Sequence, residues 1–120
     1  MLAEFWDCNV SRIADPGFIG RALLEAAKAG QATVVDSRIH EFSPQGVTGI
    51  LLLTESHLSI HTWPEKAYAA IDFYTCGIGD PELVFNELIV LLEAASAEIM
   101  LIDRGLEKGA SIAVRKHELK

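Results

Sequence analysis

Apolar and polar residues along this chain keep two rhythms, and the switches between them lay out the elements. From residue 2 to residue 8 the sides alternate. Leu2, Glu4, Trp6 and Cys8 fall on one, Ala3, Phe5 and Asp7 on the other, and the Phe and Trp favour a strand. Asp15-Pro16 then offers an N-cap and a proline at the first helical position. Phe18, Ile19, Ala22, Leu23, Ala26 and Ala27 recur at helical spacing until Gly30 stops the helix. Four strand patterns follow, over 32–42, 47–54, 57–63 and 68–75, with Ser43-Pro44-Gln45-Gly46 as a turn. The third alternates cleanly, with His57, Ser59, His61 and Trp63 on one face and Leu58, Ile60 and Thr62 on the other. Asp80-Pro81 opens a second helix, with Leu83, Val84, Leu88, Leu91 and Leu92 as its expected buried stripe. Residues 98–102 read as the last strand, with a loose tail from Gly105 until Ser111 to Val114.

The order β-α-β-β-β-β-α-β, with short turns between neighbours, predicts an α+β two-layer sandwich: an antiparallel sheet with helices on one face. At 120 residues this is one domain, large enough for a core and small enough to gain from a partner subunit. Composition is that of an ordinary globular protein, 50% hydrophobic and 22% charged. A net charge of −7 argues against nucleic acid, which selects Lys and Arg, and would tolerate a cationic small molecule. The first residues carry no signal-peptide pattern, and the apolar run 49–53 is too short for a bilayer. Two cysteines, Cys8 and Cys76, make no disulfide framework, so a cytoplasmic protein with reduced thiols and no membrane partner is expected.

Chemistry concentrates between residues 54 and 65, where two histidines, two serines, two glutamates and a Trp sit between apolar strands. Glu55-Ser56 occupies a strand junction yet offers none of the residues that turns favour. Ser56 is a candidate nucleophile and His61 a candidate base, although odd spacing puts them on opposite faces of a continuous strand. The local pattern alone favours a surface serine beside two stacked strand histidines. A third reading groups His40, His57 and His61 as metal ligands, on weak spacing. Cys76 ends the strand 68–75; hairpin pairing with strand 57–63 would bring it close to Ser56.

The run Glu55-Ser56-His57-Leu58-Ser59-Ile60-His61-Thr62-Trp63-Pro64-Glu65 resembles the processing motif of the bacterial and archaeal S-adenosylmethionine decarboxylase proenzymes. The segments 3–8, 40–49 and 68–77 are similar to that family too, with weaker similarity through the second helix and Arg104-Gly105. The resemblance implies a chain that cleaves itself between Glu55 and Ser56 into a β chain, 1–55, and an α chain, 56–120, with Ser56 converted to a pyruvoyl group. It implies that His61 takes the Cα proton during processing and that the Thr48 hydroxyl assists. The pyruvoyl ketone would form a Schiff base with the substrate amine and act as electron sink. Cys76 would reprotonate the carbon that loses CO₂. Phe42 and Trp63 would stack a purine, Glu65 would bind ribose hydroxyls, and the assembly would be a homodimer of αβ units with shared sites.

Family members carry a short extension with a Gly-x-His element before the first strand, which this sequence does not show. The difference bears on the substrate pocket, not on Ser56, His61 or Cys76; Phe42, Trp63 and Glu65 favour S-adenosylmethionine, with ornithine or arginine as the alternative substrate. An inactive partner subunit is a further reading, but Ser56 and Cys76, which such subunits lose, are both present.

Overall fold

A computed structural model describes residues 1–76, 80–106 and 109–118. Seven antiparallel strands form one sheet: β1 (Leu2–Trp6), β2 (Val34–Glu41), β3 (Val47–Leu53), β4 (Ser56–Trp63), β5 (Tyr68–Thr75), β6 (Ser96–Leu106) and β7 (Gly109–Glu118). Their spatial order is β2-β3-β4-β5-β1-β6-β7. Three helices, α1 (Val10–Ile13), α2 (Pro16–Ala29) and α3 (Pro81–Leu92), complete the expected two-layer α+β sandwich. No helix among the described residues is long and apolar enough to cross a membrane.

The period-2 alternation decides which side of the sheet the helices cover. Ala3 and Phe5 of β1, Leu51 and Leu53 of β3, Leu58 and Ile60 of β4, and Ile71 and Phe73 of β5 are all buried beneath α2 and α3. Asp15 caps α2, its carboxylate accepting from the Gly17 N–H at 2.9 Å, and Asp80 caps α3 by accepting from Glu82 at 3.0 Å. Gly49 lets α2 come down onto the sheet, since a Cβ there would stand 2.8 Å from Leu23 and 2.9 Å from Ile39. Buried Thr62 ties three segments together: its hydroxyl donates to the Ile13 carbonyl at 2.8 Å and accepts from the Val47 N–H at 2.9 Å.

Three expectations need correction. The buried stripe of α3 is Val84, Phe85, Leu88, Ile89 and Leu92; Leu83 is 45% exposed and Leu91 only partly buried. The helix is apolar nearly all round, so periodicity alone could not choose the stripe. Residues 98–102 are not the last strand, because β6 runs on to Leu106. The tail is β7, paired to it from Ser96↔Glu118 to Leu106↔Gly109. The short helix α1 also escapes the apolar pattern, being a single turn capped by Asn9.

Candidate active site

Two clusters of the residues named from sequence lie at opposite ends of β4. At one end, Leu53 pairs with Ser56, so the turn consists of Thr54 and Glu55. These two carry no positive φ. The departure falls on Ser56, the first residue of β4, at φ +158°, the extended edge of the positive-φ range. Across the β4–β5 hairpin Ser56 faces Thr75, one residue short of Cys76. The Cys76 N–H donates to the Glu55 carbonyl at 3.3 Å and the Cys76 thiol donates to the same oxygen at 3.2 Å. The sequence expectation that Cys76 reaches the Ser56 end therefore agrees with the geometry. Glu55 also buries its Oε2, which has no hydrogen-bond partner.

At the other end, Thr48 of β3 faces His61 of β4, with Thr48 Oγ1 and His61 Nδ1 3.0 Å apart. Trp63 is two residues further on the same face, its ring 6.4 Å from that of His61. Phe42 packs edge-on against His40 at 4.5 Å, and His40 faces Thr48 from β2. Glu65 is exposed in the 3₁₀ turn Pro64–Lys66 that follows β4. Within one protomer the Ser56 and His61 positions are not brought together. Five residues of strand separate them by about 16 Å, and His61 points away from the helices while Leu58, Ile60 and Thr62 point toward them. The His40, His57 and His61 trio does not assemble either: among the described residues no three His, Cys, Asp or Glu are placed to hold a metal ion.

Some neighbours of these clusters emerge only from the register. Trp6, Tyr68 and Trp63 stack across β1, β5 and β4 with centroids 4.4 and 5.2 Å apart. Tyr68 also donates to Glu4 Oε2; burial first, then that bond and the Glu4 charge, raise its phenol above the usual tyrosine range. Near Cys76 a cavity of about 650 Å³ is walled by the end of β5, the first turn of α3 and the β6–β7 hairpin. Tyr74, Cys76, Glu82 and Arg104 line it, and the Arg104 guanidinium lies 4.8 Å over the Tyr74 ring. Arg104 reaches this end of β5 only because β6 lies two strands away in space.

Comparison with known proteins identifies the family. A family model described as S-adenosylmethionine decarboxylase matches residues 1–105. The S-adenosylmethionine decarboxylase proenzyme of Acidithiobacillus ferrooxidans is 41% identical over 121 residues, covering 100% of this chain and 90% of that protein. The proenzyme of Pyrococcus furiosus is 45% identical over 108 residues, covering 89% of this chain and 78% of that protein. A crystal structure of the adenosylmethionine decarboxylase of Aquifex aeolicus superposes with a TM-score of 0.72 at 31% identity, covering 98% of this chain and 86% of that one. The chain is an enzyme of the S-adenosylmethionine decarboxylase family.

Proposed function

We propose that the chain is a self-processing proenzyme that cleaves its Glu55–Ser56 bond and then decarboxylates S-adenosylmethionine, supplying the aminopropyl donor for spermidine synthesis. The observation that carries this reading is the pair of donors from Cys76 on the Glu55 carbonyl. Attack by the Ser56 hydroxyl on that carbon would push negative charge onto the oxygen. Two donors already aimed at it stabilise that charge without reorganisation. The N→O shift gives an ester between Glu55 and the Ser56 side chain. Loss of the Ser56 Cα proton then expels the Glu55 carboxylate and leaves a dehydroalanine. Its tautomer takes up water and releases ammonia, giving a β chain, 1–55, and an α chain starting at a pyruvoyl group.

The residues present fit the pyruvoyl group: Ser56 begins a strand, is partly buried and adjoins a thiol. Once formed, that group supplies an electrophilic ketone able to hold a substrate amine and accept electrons as CO₂ leaves. After cleavage the Cys76 thiol is free to deliver a proton to the substrate carbon.

His61 and Thr48 enter through a second copy. The face of the sheet turned away from the helices exposes Leu52 at 52%, Ile112 at 70% and Val114 at 58%, with Trp6, Trp63 and Tyr74 beside them. Two chains packed through this face as a homodimer would bury it and could carry His61 and Thr48 of one chain to Ser56 of the other. Phe42, Trp63 and Glu65, at the His61 end, would then meet the purine and ribose of the substrate.

Intact mass of the purified protein tests the processing step, with CO₂ release from S-adenosylmethionine, ornithine and arginine measured in parallel. Two fragments are expected, the α chain lighter by one ammonia than a serine start, with S-adenosylmethionine preferred. Ser56→Ala should leave one uncut chain. A Ser56→Ala protein that still divided at this bond would sink the mechanism, and an uncut wild-type chain releasing no CO₂ would favour an inactive partner subunit.

A further inference from the structure

The cavity beside Cys76 holds a cation that the reaction as described leaves idle. Among the described residues the ion pairs are Arg12–Glu93, Arg115–Glu82 and Lys116–Glu98. Arg104 belongs to none of them. Glu82, the acidic side chain on the α3 side of the cavity, is engaged by Arg115 at 2.5 Å. The Met1 ammonium, which also lines the space, donates to the Phe73 carbonyl at 2.6 Å. What steadies Arg104 is the Tyr74 ring beneath its guanidinium, a contact that uses the face of the guanidinium and not its in-plane N–H donors. Tyr74 near the end of β5 and Cys76 just beyond it line the same cavity. A carbon within reach of the Cys76 thiol can thus carry a substituent that meets the guanidinium.

We propose that Arg104 binds the α-carboxylate of the substrate, and so positions the amino acid with its Cα toward Cys76. The proposal rests on the decarboxylase reading above and adds to it the group that recognises the amino-acid end. It applies to any α-amino acid, because S-adenosylmethionine, ornithine and arginine all present the same carboxylate. A guanidinium suits this role, since its forked donors match both oxygens of a carboxylate. The carboxylate loses its charge as CO₂ forms, so the contact is stronger with bound substrate than at the transition state. Its loss should therefore fall on KM more than on kcat.

The test compares cleaved wild-type enzyme with Arg104→Gln and Arg104→Lys, after intact mass has shown that both variants process. KM for S-adenosylmethionine should rise about tenfold or more in Arg104→Gln, with kcat unchanged or slightly raised and partial recovery of KM in Arg104→Lys. Decarboxylated S-adenosylmethionine, which lacks the carboxylate, should inhibit wild type and Arg104→Gln within about twofold of each other. An unchanged KM, or an equal loss of affinity for substrate and decarboxylated product, would overturn the proposal. Failure of the underlying reading would show in the wild-type enzyme, as absence of CO₂ release, before any Arg104 variant is made.

Discussion

The two donors on the Glu55 carbonyl are of unequal persistence, since substitution at position 76 removes the thiol and leaves the N–H. Cys76→Ala should therefore still cleave, about tenfold more slowly. Turnover should suffer more, with aldehyde by-products if the carbon is protonated in the wrong place. Rates of fragment appearance on a denaturing gel, followed by product analysis, check both halves. Normal decarboxylation by Cys76→Ala would remove the thiol from the mechanism. The second thiol is a contrast. Cys8 is buried, and desolvation, with Asp7 adding to it, raises its pKa from 9.0 to about 12. An acid raised in the fold keeps its proton while the unfolded chain sheds it, so Cys8 costs stability as pH climbs from 9 toward 12. Cys8→Ala should flatten that decline, seen as urea midpoints at pH 8 and pH 10. At this scale Ser56, His61 and Cys76 stand out in the sequence through residue type and spacing, whereas Arg104 and Trp6 gain meaning only from neighbours on other strands.

Elements meet most tightly where α2 ends beside α3. A Cβ on Gly30 would stand 2.3 Å from Val84 Cγ2 and 3.0 Å from the Asp80 carbonyl oxygen, and the Asp80 N–H donates to the Gly30 carbonyl at 3.0 Å. Gly30→Ala should cost about 1–3 kcal/mol, because backbone as well as a side chain must yield. A urea melt of the variant measures it; a midpoint equal to wild type would mean that α3 shifts freely. The caps Asp15 and Asp80 and the strand alternations are local chemistry, which is why α2, the cores of β3, β4 and β5, and the start of α3 were legible in sequence. The rotation of α3 and the existence of β7 depend on what each packs against, and neither an all-apolar helix nor a charged tail states its partner.

At the scale of the whole molecule, one row of side chains crosses the open face from His40 through Thr48, His61, Ala70, Glu4 and Glu98 to Lys116. The homodimer reading makes this face an interface. Leu52→Glu combined with Ile112→Glu should give a monomer by light scattering and should also stop cleavage. A dimer unaffected by both charges would exclude this face. Shared sites are tested by complementation. Ser56→Ala and His61→Ala chains should each stay uncut alone, and co-expression should restore cleavage in the His61→Ala chain only. Cleavage restored in neither would place His61 with Ser56 of its own chain, against the separation along β4.

By itself the sequence determined the class of fold, the strand faces, both long helix starts and the family, because alternation, caps and an eleven-residue motif act over short stretches of chain. It also determined that Cys76 approaches Ser56, since a hairpin converts sequence separation directly into register. Only the tertiary structure decided that the cleavage end and the Thr48–His61 end stand apart on one sheet, and that Arg104 of β6 shares a cavity with Cys76. Both depend on which strands lie side by side, and that order comes from long-range packing and pairing, not from any local pattern of residues.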